Sequence, residues 1–276
     1  MKIAQIQMNV TGDKAANIRR ACDLIRSAGD IDLAVLPEMF CCPYDRDCFR
    51  AYSEGPGGPA QQAMSALARE RGIYLIAGSL PEQVGRRVYN TSFVYDPTGR
   101  CIARHRKMHL FDIDVDGGQR FIESEVLSAG QTPTTFDTPW GVMGLCICFD
   151  MRFEELCRLM ALAGVRVIFA PAAFNMTTGP AHWELLFRQR AVDQQCFTVG
   201  TSPARDESAS YVAWGHSIVC DPWGTVLHQC GPEEAVAVTE LELNRVEAVR
   251  RQLPILSARR GDVYRLILQN REENDT

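Results

Sequence analysis

The beginning of the chain constrains the fold most, because it carries a strand, a helix and a second strand in that order. Residues 2–10 alternate as a strand does, and Thr11 or Asp13 offers a cap for a helix over 14–28. Residues 31–36 form an almost continuous apolar run. A strand that is apolar on both faces is typical of the centre of a parallel sheet with both sides covered. This order predicts an α/β fold.

The rest of the chain continues to alternate helices with strands, and hairpins lie between them. Helices are predicted over 59–71, 153–163, 180–193 and from Asn244, and strands over 74–79, 89–95, 101–106, 135–138, 142–147, 165–171, 196–201, 215–220, 226–229 and 235–241. Segment 39–58 is rich in Cys, Tyr, Gly and Pro, which predicts an irregular loop. No linker composition or internal repeat interrupts this order. We predict one mixed α/β domain over residues 1–270, followed by a frayed tail over 271–276.

The composition is that of a globular protein with a sizeable core. Of the 276 residues, 46% are hydrophobic and 23% are charged, and the formal net charge is −5. No stretch concentrates Lys and Arg, so nucleic acid is not an expected partner. No apolar run approaches about 18 residues, so no membrane partner is expected. The start of the chain carries no recognisable targeting segment, which favours a cytoplasmic protein and is compatible with an organellar copy.

Cys148 is the candidate nucleophile because of its place in the stretch Val142–Leu156. This stretch predicts a buried strand that ends at Cys148, a turn through Phe149 and Asp150, and a helix that begins near Arg152. A cysteine at such a turn is held rigidly. The field of the helix N-terminus is expected to favour its thiolate form.

The eleven cysteines need a separate explanation. A zinc ion could use one of two groups, namely Cys41, Cys42 and Cys48, or Cys146 with Cys148. Neither group has the repeated C-x2-C spacing, or the paired histidines, that structural zinc sites show. We therefore expect no metal, and we interpret most of these cysteines as small buried hydrophobic residues of a reducing compartment.

Glu38 and Lys107 also stand at the ends of predicted strands. Each alone is more often a solvated loop residue than a functional one. Together with Cys148 and their surroundings, they resemble the nitrilase, or carbon–nitrogen hydrolase, superfamily. The matching segments are Leu36–Phe40, His105–Asp114 and Gly144–Leu156. Their order and wide separation match the Glu, Lys and Cys triad of that family, and the resemblance covers nearly the whole chain.

The resemblance implies a fold and an assembly. The fold is an αββα sandwich, in which two mixed β-sheets pack face to face with helices outside. Family members usually form homodimers and need neither a metal nor an organic cofactor.

The resemblance also assigns roles to individual residues. Cys148 would attack the amide carbon and form a thioester, and Glu38 would carry the proton from the thiol to the departing ammonia. Lys107 and the backbone N–H of Phe149 would hold the oxyanion. Glu123 matches a second glutamate of the family, which contacts the lysine and helps to position the substrate.

The resemblance also implies which cysteine of the motif Cys-Ile-Cys is the nucleophile. The nucleophile of the family directly precedes the aromatic–Asp–x–Arg run, which selects Cys148. Cys146 lies two residues earlier on the same face of the strand, and we expect it to pack near the site without reacting.

Within the superfamily, the chain most resembles the ω-amidases. The segments that carry this likeness are Phe111–Asp114, Phe174–Leu186, Ser202–Arg205 and Ser210–Ser217. Such enzymes hydrolyse the terminal amide of small dicarboxylic acid monoamides, namely 2-oxoglutaramate, 2-oxosuccinamate and succinamate. Asp116 stands where the family commonly has proline, so the likeness leaves the fine substrate preference open.

A substrate of this kind has a free carboxylate that a cation should meet. Arg152 is the nearest candidate, although a structural role, pairing with an acid or capping backbone groups, fits it equally well. Tyr44, Phe174 and Thr177 are further candidates for the pocket wall. His182 lies beside a tryptophan in a predicted helix, where a packed histidine is the expectation.

Two classes of alternative remain at this point. Among enzymes, they are an amidase for deaminated glutathione or another carbon–nitrogen hydrolase of the carbamoylase type. Outside enzymes, the alternative is a cysteine-rich redox-sensing or interaction protein. The reactivity of the thiols separates these classes, because an enzyme of this kind needs one dominant cysteine.

Overall fold

The computed structural model describes residues 1–116 and 120–269. The strands of this part are Lys2–Gln7 (β1), Leu33–Val35 (β2), Tyr74–Ile76 (β3), Leu80–Val84 (β4), Arg87–Tyr95 (β5), Cys101–Arg106 (β6), Asp112–Asp114 (β7), Arg120–Ile122 (β8), Thr134–Thr138 (β9), Gly141–Leu145 (β10), Val167–Pro171 (β11), Phe197–Thr201 (β12), Ile218–Cys220 (β13), Val226–Gln229 (β14) and Ala235–Glu240 (β15). The α-helices are Lys14–Ser27 (α1), Arg46–Tyr52 (α2), Pro59–Arg71 (α3), Glu154–Leu162 (α4), Gly179–Gln194 (α5) and Asn244–Gln252 (α6). Short 3-10 helices span Glu123–Glu125 and Cys148–Arg152.

Most of these strands belong to two large mixed sheets. The first sheet has the order β15-β1-β2-β3-β5-β4, with β6 also paired to β5, and its strands β1, β2 and β3 run parallel. The second has the order β14-β13-β12-β11-β10-β9, and its strands β10, β11 and β12 run parallel. The strands β7 and β8 pair with each other. Because parallel strands end at the same edge of a sheet, each sheet gathers the residues that follow its central strands.

The two sheets face each other across a shared apolar core. On β2, Leu33 and Val35 point into this core, where Phe169 of the second sheet meets them. Ala34 points the other way and packs in the cluster that α1 and α3 cover. Ile168 likewise faces the cluster that α4 and α5 cover. This alternation explains the continuous apolar runs, and the predicted αββα sandwich is confirmed.

The irregular loop predicted for 39–58 is wrong in part, because this segment contains α2. Asp45 caps the helix by accepting a hydrogen bond from the backbone N–H of Asp47. Phe49 buries its ring on the inner side of α2. The strands β4, β7 and β8 were not predicted either, since their residues lack the apolar alternation on which the prediction depended.

The boundary of the nucleophile segment also differs from the prediction. The strand β10 ends at Leu145, not at Cys148, and α4 begins only at Glu154. Cys148 has a φ of +48°, which is outside the extended region and costly for a residue with a side chain. This strained backbone conformation therefore lies at the candidate nucleophile itself.

None of the helices in the described part of the chain is long and apolar enough to cross a membrane. The single domain over residues 1–270 stays a prediction. The frayed tail predicted for 271–276 lies outside the described residues.

Candidate active site

Three side chains from distant parts of the chain meet at one edge of the sandwich. Glu38 follows β2, Lys107 directly follows β6, and Cys148 follows β10. All three are buried. The Lys107 ammonium nitrogen lies 3.0 Å from a carboxylate oxygen of Glu38, and the Cys148 thiol is close enough to both groups for their charges to act on its pKa. The structure therefore brings the three predicted triad residues into one cluster.

The backbone at Glu38 is held by the segment that follows β3. Gly78 has a φ of +47°, and a Cβ at this position would lie 2.0 Å from the carbonyl oxygen of Pro37. The hydroxyl of Ser79 accepts a hydrogen bond from the N–H of Met39 at 3.0 Å. Only glycine permits this close approach, so Gly78 helps to set the position of Glu38.

The carboxylate of Glu38 is held by donors on both oxygens. Oε2 accepts a hydrogen bond from the Ala173 N–H at 2.8 Å, and Oε1 accepts one from Nδ2 of Asn90 at 2.8 Å. Burial raises the pKa of Glu38, and the nearby charge of Lys107 opposes this rise. A carboxyl group with a raised pKa is suited to accept and return a proton near neutral pH.

Lys107 lies between two carboxylates. Its Nζ is 2.9 Å from Oε2 of Glu123, in addition to its contact with Glu38. The Tyr44 hydroxyl donates to Glu123 at 2.6 Å, and the Phe111 N–H donates to it at 2.7 Å. Burial alone would lower the pKa of Lys107, but Glu123 and Glu38 outweigh burial and raise it. Lys107 is therefore a permanent cation inside the site.

The surroundings of Cys148 favour the neutral thiol over the thiolate. Burial raises its pKa well above the ordinary value, and the charge of Glu38 raises it further, while Lys107 opposes both effects. The expectation that a helix N-terminus lowers this pKa is therefore wrong. Cys148 is the first residue of a five-residue 3-10 helix, whose dipole is smaller than that of a longer α-helix, and the charge of Glu38 acts on the thiol. The proton must leave through a base, and Glu38 is in place to take it.

Asp150 holds the turn that carries the nucleophile. Its carboxylate accepts hydrogen bonds from the N–H groups of Ile147 at 3.0 Å and His109 at 2.9 Å. The side chains of His105 and His109 contact it at 2.9 Å and 2.7 Å. Burial alone would raise the pKa of Asp150, but the hydrogen bonds from these two histidines lower it well below its usual range. Asp150 thereby connects the turn to the segment around Lys107.

The backbone N–H of Phe149 is positioned to bind a developing oxyanion. It lies in the first turn of the 3-10 helix, where N–H groups have no acceptor within the helix. Among the described residues, no backbone or side-chain acceptor takes this N–H. An oxygen on a carbon bonded to Cys148 would therefore find a free donor at the next residue.

Comparison with known proteins places the chain in a family. Residues 2–251 match the carbon–nitrogen hydrolase family. The mouse omega-amidase NIT2 is 48% identical over 265 residues, which make up 95% of this chain and 96% of the mouse protein. The chain belongs to the carbon–nitrogen hydrolase family. The human omega-amidase NIT2 is 47% identical over the same shares of the two chains.

The fold of this carbon–nitrogen hydrolase is found in solved structures as well. The crystal structure of Saccharomyces cerevisiae Nit3, a member of branch 10 of the nitrilase superfamily, matches it with a TM-score of 0.86. The sequence identity is 41%, and the match covers 94% of this chain and 96% of Nit3. The predicted family and enzyme class are therefore confirmed: the protein is a hydrolase that acts on carbon–nitrogen bonds.

The four residues suggested for the substrate pocket have different surroundings. Tyr44 belongs to the buried network, since its hydroxyl contacts Glu123. Phe174 is buried, and its ring centroid lies 4.9 Å from the guanidinium carbon of Arg152. Thr177 is exposed in the turn before α5 and forms no hydrogen bond with the triad within the described residues. The structure thus shows contacts of Tyr44, Phe174 and Arg152 around the cluster, and the place of Thr177 in the pocket wall stays a prediction.

Two expectations about charged side chains are resolved by the structure. Arg152 has no acidic partner among the described residues, so the acid pairing considered for it is not observed. His182 is exposed, which makes the expectation of a packed histidine wrong. On α5, the buried stripe contains Trp183 and Phe187, and His182 lies beside that stripe. Its Nδ1 contacts Arg152 instead.

Two residues of the site were missed by the sequence analysis. Tyr211 is buried, its ring centroid lies 4.5 Å from that of Tyr44, and its hydroxyl donates to the carbonyl oxygen of Ala173. It also lines a cavity of about 360 Å³ together with Tyr44, Phe121 and neighbouring residues. Asn90 lies inside β5 and binds Glu38. Tyr211 belongs to a segment that carried the family likeness, whereas no sequence signal distinguished Asn90.

The remaining cysteines do not favour redox sensing. All eleven are free, and most are buried. Burial raises the pKa of Cys41, Cys157 and Cys220 to about 12, which makes them poor thiolates. In the part of the chain that the structure describes, no group of three or more His, Cys, Asp or Glu side chains is arranged to hold a metal ion.

Proposed function

We propose that this carbon–nitrogen hydrolase is an ω-amidase, which hydrolyses the terminal amide of small dicarboxylic acid monoamides such as 2-oxoglutaramate, 2-oxosuccinamate and succinamate. The buried cluster of Glu38, Lys107 and Cys148 supports the reaction. Arg152, a cation without an acidic partner, supports a substrate that carries a free carboxylate. The relatives named omega-amidase NIT2 support the same substrate class.

In the first half of the reaction, the amide becomes a thioester. Glu38 accepts the proton of the Cys148 thiol as sulfur bonds to the amide carbon, and the carbonyl electron pair moves to oxygen. Lys107 and the Phe149 N–H stabilise that oxyanion. When the carbonyl re-forms, the carbon–nitrogen bond breaks, and Glu38 returns the proton to the nitrogen, which leaves as ammonia.

In the second half, water releases the acid. Glu38 accepts a proton from a water molecule as the water oxygen bonds to the thioester carbon. Lys107 and the Phe149 N–H stabilise this second oxyanion as well. The carbon–sulfur bond then breaks, and the proton on Glu38 returns to Cys148. Glu123 keeps Lys107 in place throughout, because it binds the ammonium while Glu38 gains and loses its proton.

The direct test of this function is ammonia release by the intact protein. We expect turnover of 2-oxoglutaramate and succinamate, with a higher kcat/KM than for deaminated glutathione, whose acyl part is larger. The absence of turnover with both small substrates would contradict the ω-amidase proposal. A preference for deaminated glutathione would support the alternative amidase.

We also propose that the protein forms a homodimer in the cytoplasm. Large apolar side chains are exposed on α4 and α5, at Leu162 and Leu185, and in the segment after α6, at Val263, Ile267 and Leu268. Such surface is costly in water and favours association. Light scattering should give twice the chain mass of 30.8 kDa, and the mass of a single chain would contradict the proposal. Cell fractionation tests the location.

A further inference from the structure

The guanidinium of Arg152 has one edge occupied and one edge free. Its Nη1 lies 3.2 Å from Nδ1 of His182. Its Nε is buried, and it has no hydrogen-bond partner among the described residues. Nη2 has none in the same part of the chain. The Nε and Nη2 donors form the fork that binds a carboxylate in two parallel hydrogen bonds.

The position of Arg152 is set by aromatic rings and by its own backbone. Its guanidinium carbon lies 4.9 Å from the centroid of the Phe174 ring and 5.6 Å from that of Phe149. The Arg152 carbonyl oxygen accepts a hydrogen bond from Arg190 at 3.0 Å. These contacts hold the cation over apolar rings at the end of the turn that begins with Cys148.

The contact with His182 requires one protonation state of the imidazole. An arginine N–H only donates, so Nδ1 of His182 must accept, and the imidazole must be neutral with its proton on Nε2. His182 lies in the first turns of α5 and is exposed, so packing of the core does not explain its position. Its polar contact in the described part of the chain is with Arg152.

We propose that His182 is a positioning residue for substrate specificity. By accepting from Nη1, it turns the free Nε and Nη2 edge of Arg152 toward the carboxylate at the far end of the substrate. This inference rests on the proposed ω-amidase function and deepens it. The enzyme selects short monoamides with a distal carboxylate over neutral amides of the same shape, and it does so through the pair of Arg152 and His182.

The test compares succinamate with succinamide, a neutral diamide of nearly the same shape. The measured quantity is the ratio of their kcat/KM values. His182→Leu should lower this ratio about tenfold, mainly through the KM for succinamate, because a hydrogen bond to a charged group is lost. His182→Asn keeps an acceptor near the position of Nδ1 and should restore most of the ratio. Gln189→Leu, an exposed change on the same helix, should leave the ratio as in the wild type.

Each outcome separates this inference from the function on which it rests. If the wild type hydrolyses neither compound, the ω-amidase proposal fails. If the wild type hydrolyses both equally well, the proposed carboxylate recognition is overturned. If the wild type prefers succinamate but His182→Leu keeps the wild-type ratio, His182 does not position Arg152. If His182→Asn loses as much of the ratio as His182→Leu does, the acceptor role is overturned.

Discussion

Replacing Cys148 with alanine should lower ammonia release by about four orders of magnitude or more, while the protein stays folded. Without the sulfur atom no thioester can form, and Glu38 and Lys107 have no nucleophile to assist. The substitution removes a single buried atom, so the midpoint of thermal unfolding should move by only a few degrees. Ammonia release and thermal unfolding measured on the same sample would separate lost chemistry from lost fold.

Cys146→Ala is the matched control for this prediction. Cys146 is also buried and lies two residues before Cys148 in the sequence. Burial raises its pKa well above that of an ordinary thiol. Among the described residues, Glu38 is not one of the charged groups that act on Cys146. We expect this variant to keep most of its turnover. Activity that survives in Cys148→Ala, or an equal loss in the two variants, would overturn the assignment of the nucleophile.

Glu38→Gln and Lys107→Met should both lose turnover, by about 10² to 10⁴-fold. Glutamine cannot accept the proton of the thiol, although it preserves the shape of the side chain. Methionine cannot stabilise the oxyanion by charge. A loss of turnover in both variants would show that the base and the cation are both required. The rate of ammonia release at saturating substrate measures this turnover.

The same two substitutions should act in opposite directions on stability. Glu38→Gln leaves Lys107 paired with Glu123, so the buried cluster becomes neutral, and the free energy of unfolding should hold or increase. Lys107→Met leaves two buried carboxylates without their cation and should lower it by about 3–5 kcal/mol. Denaturant unfolding measures both values. Equal destabilisation in the two variants would contradict the charge balance assigned to the cluster.

The deficit of Lys107→Met should also depend on pH in a defined direction. The pKa of Glu38 is already raised by burial, and removal of Lys107 raises it further. A carboxyl whose pKa is higher in the folded state binds more protons when folded, so the stability of the variant relative to wild type rises as the pH falls. The deficit should therefore shrink as the pH is lowered from neutrality. A deficit that grows with acidification would show that the carboxylates are not the cause.

Local features of the sequence were sufficient to predict most of the helices and strands. The predicted bounds of α1 and α3 agree with the structure within a residue or two, because their caps and apolar spacing lie within the elements themselves. The helix α2 was missed, since its residues have the composition of a loop. The position of His182 could have been predicted from the same kind of spacing. Trp183 and Phe187 lie four residues apart and define the buried stripe of α5, which His182 does not join.

The sequence by itself determined the family and the order of Glu38, Lys107 and Cys148 through its motifs, and local periodicity determined the alternation of helices and strands. The αββα architecture was implied by the resemblance to that family. Only the tertiary structure decided how the three groups affect one another. The pKa of Cys148 rises because burial and the charge of Glu38 act on it, and both depend on which distant segments meet. In the same way, Asn90 joined the site, and Arg152 was left with a free edge, through contacts between residues far apart in the chain. Electrostatic effects depend on distance and burial in space, and neither is written in local sequence.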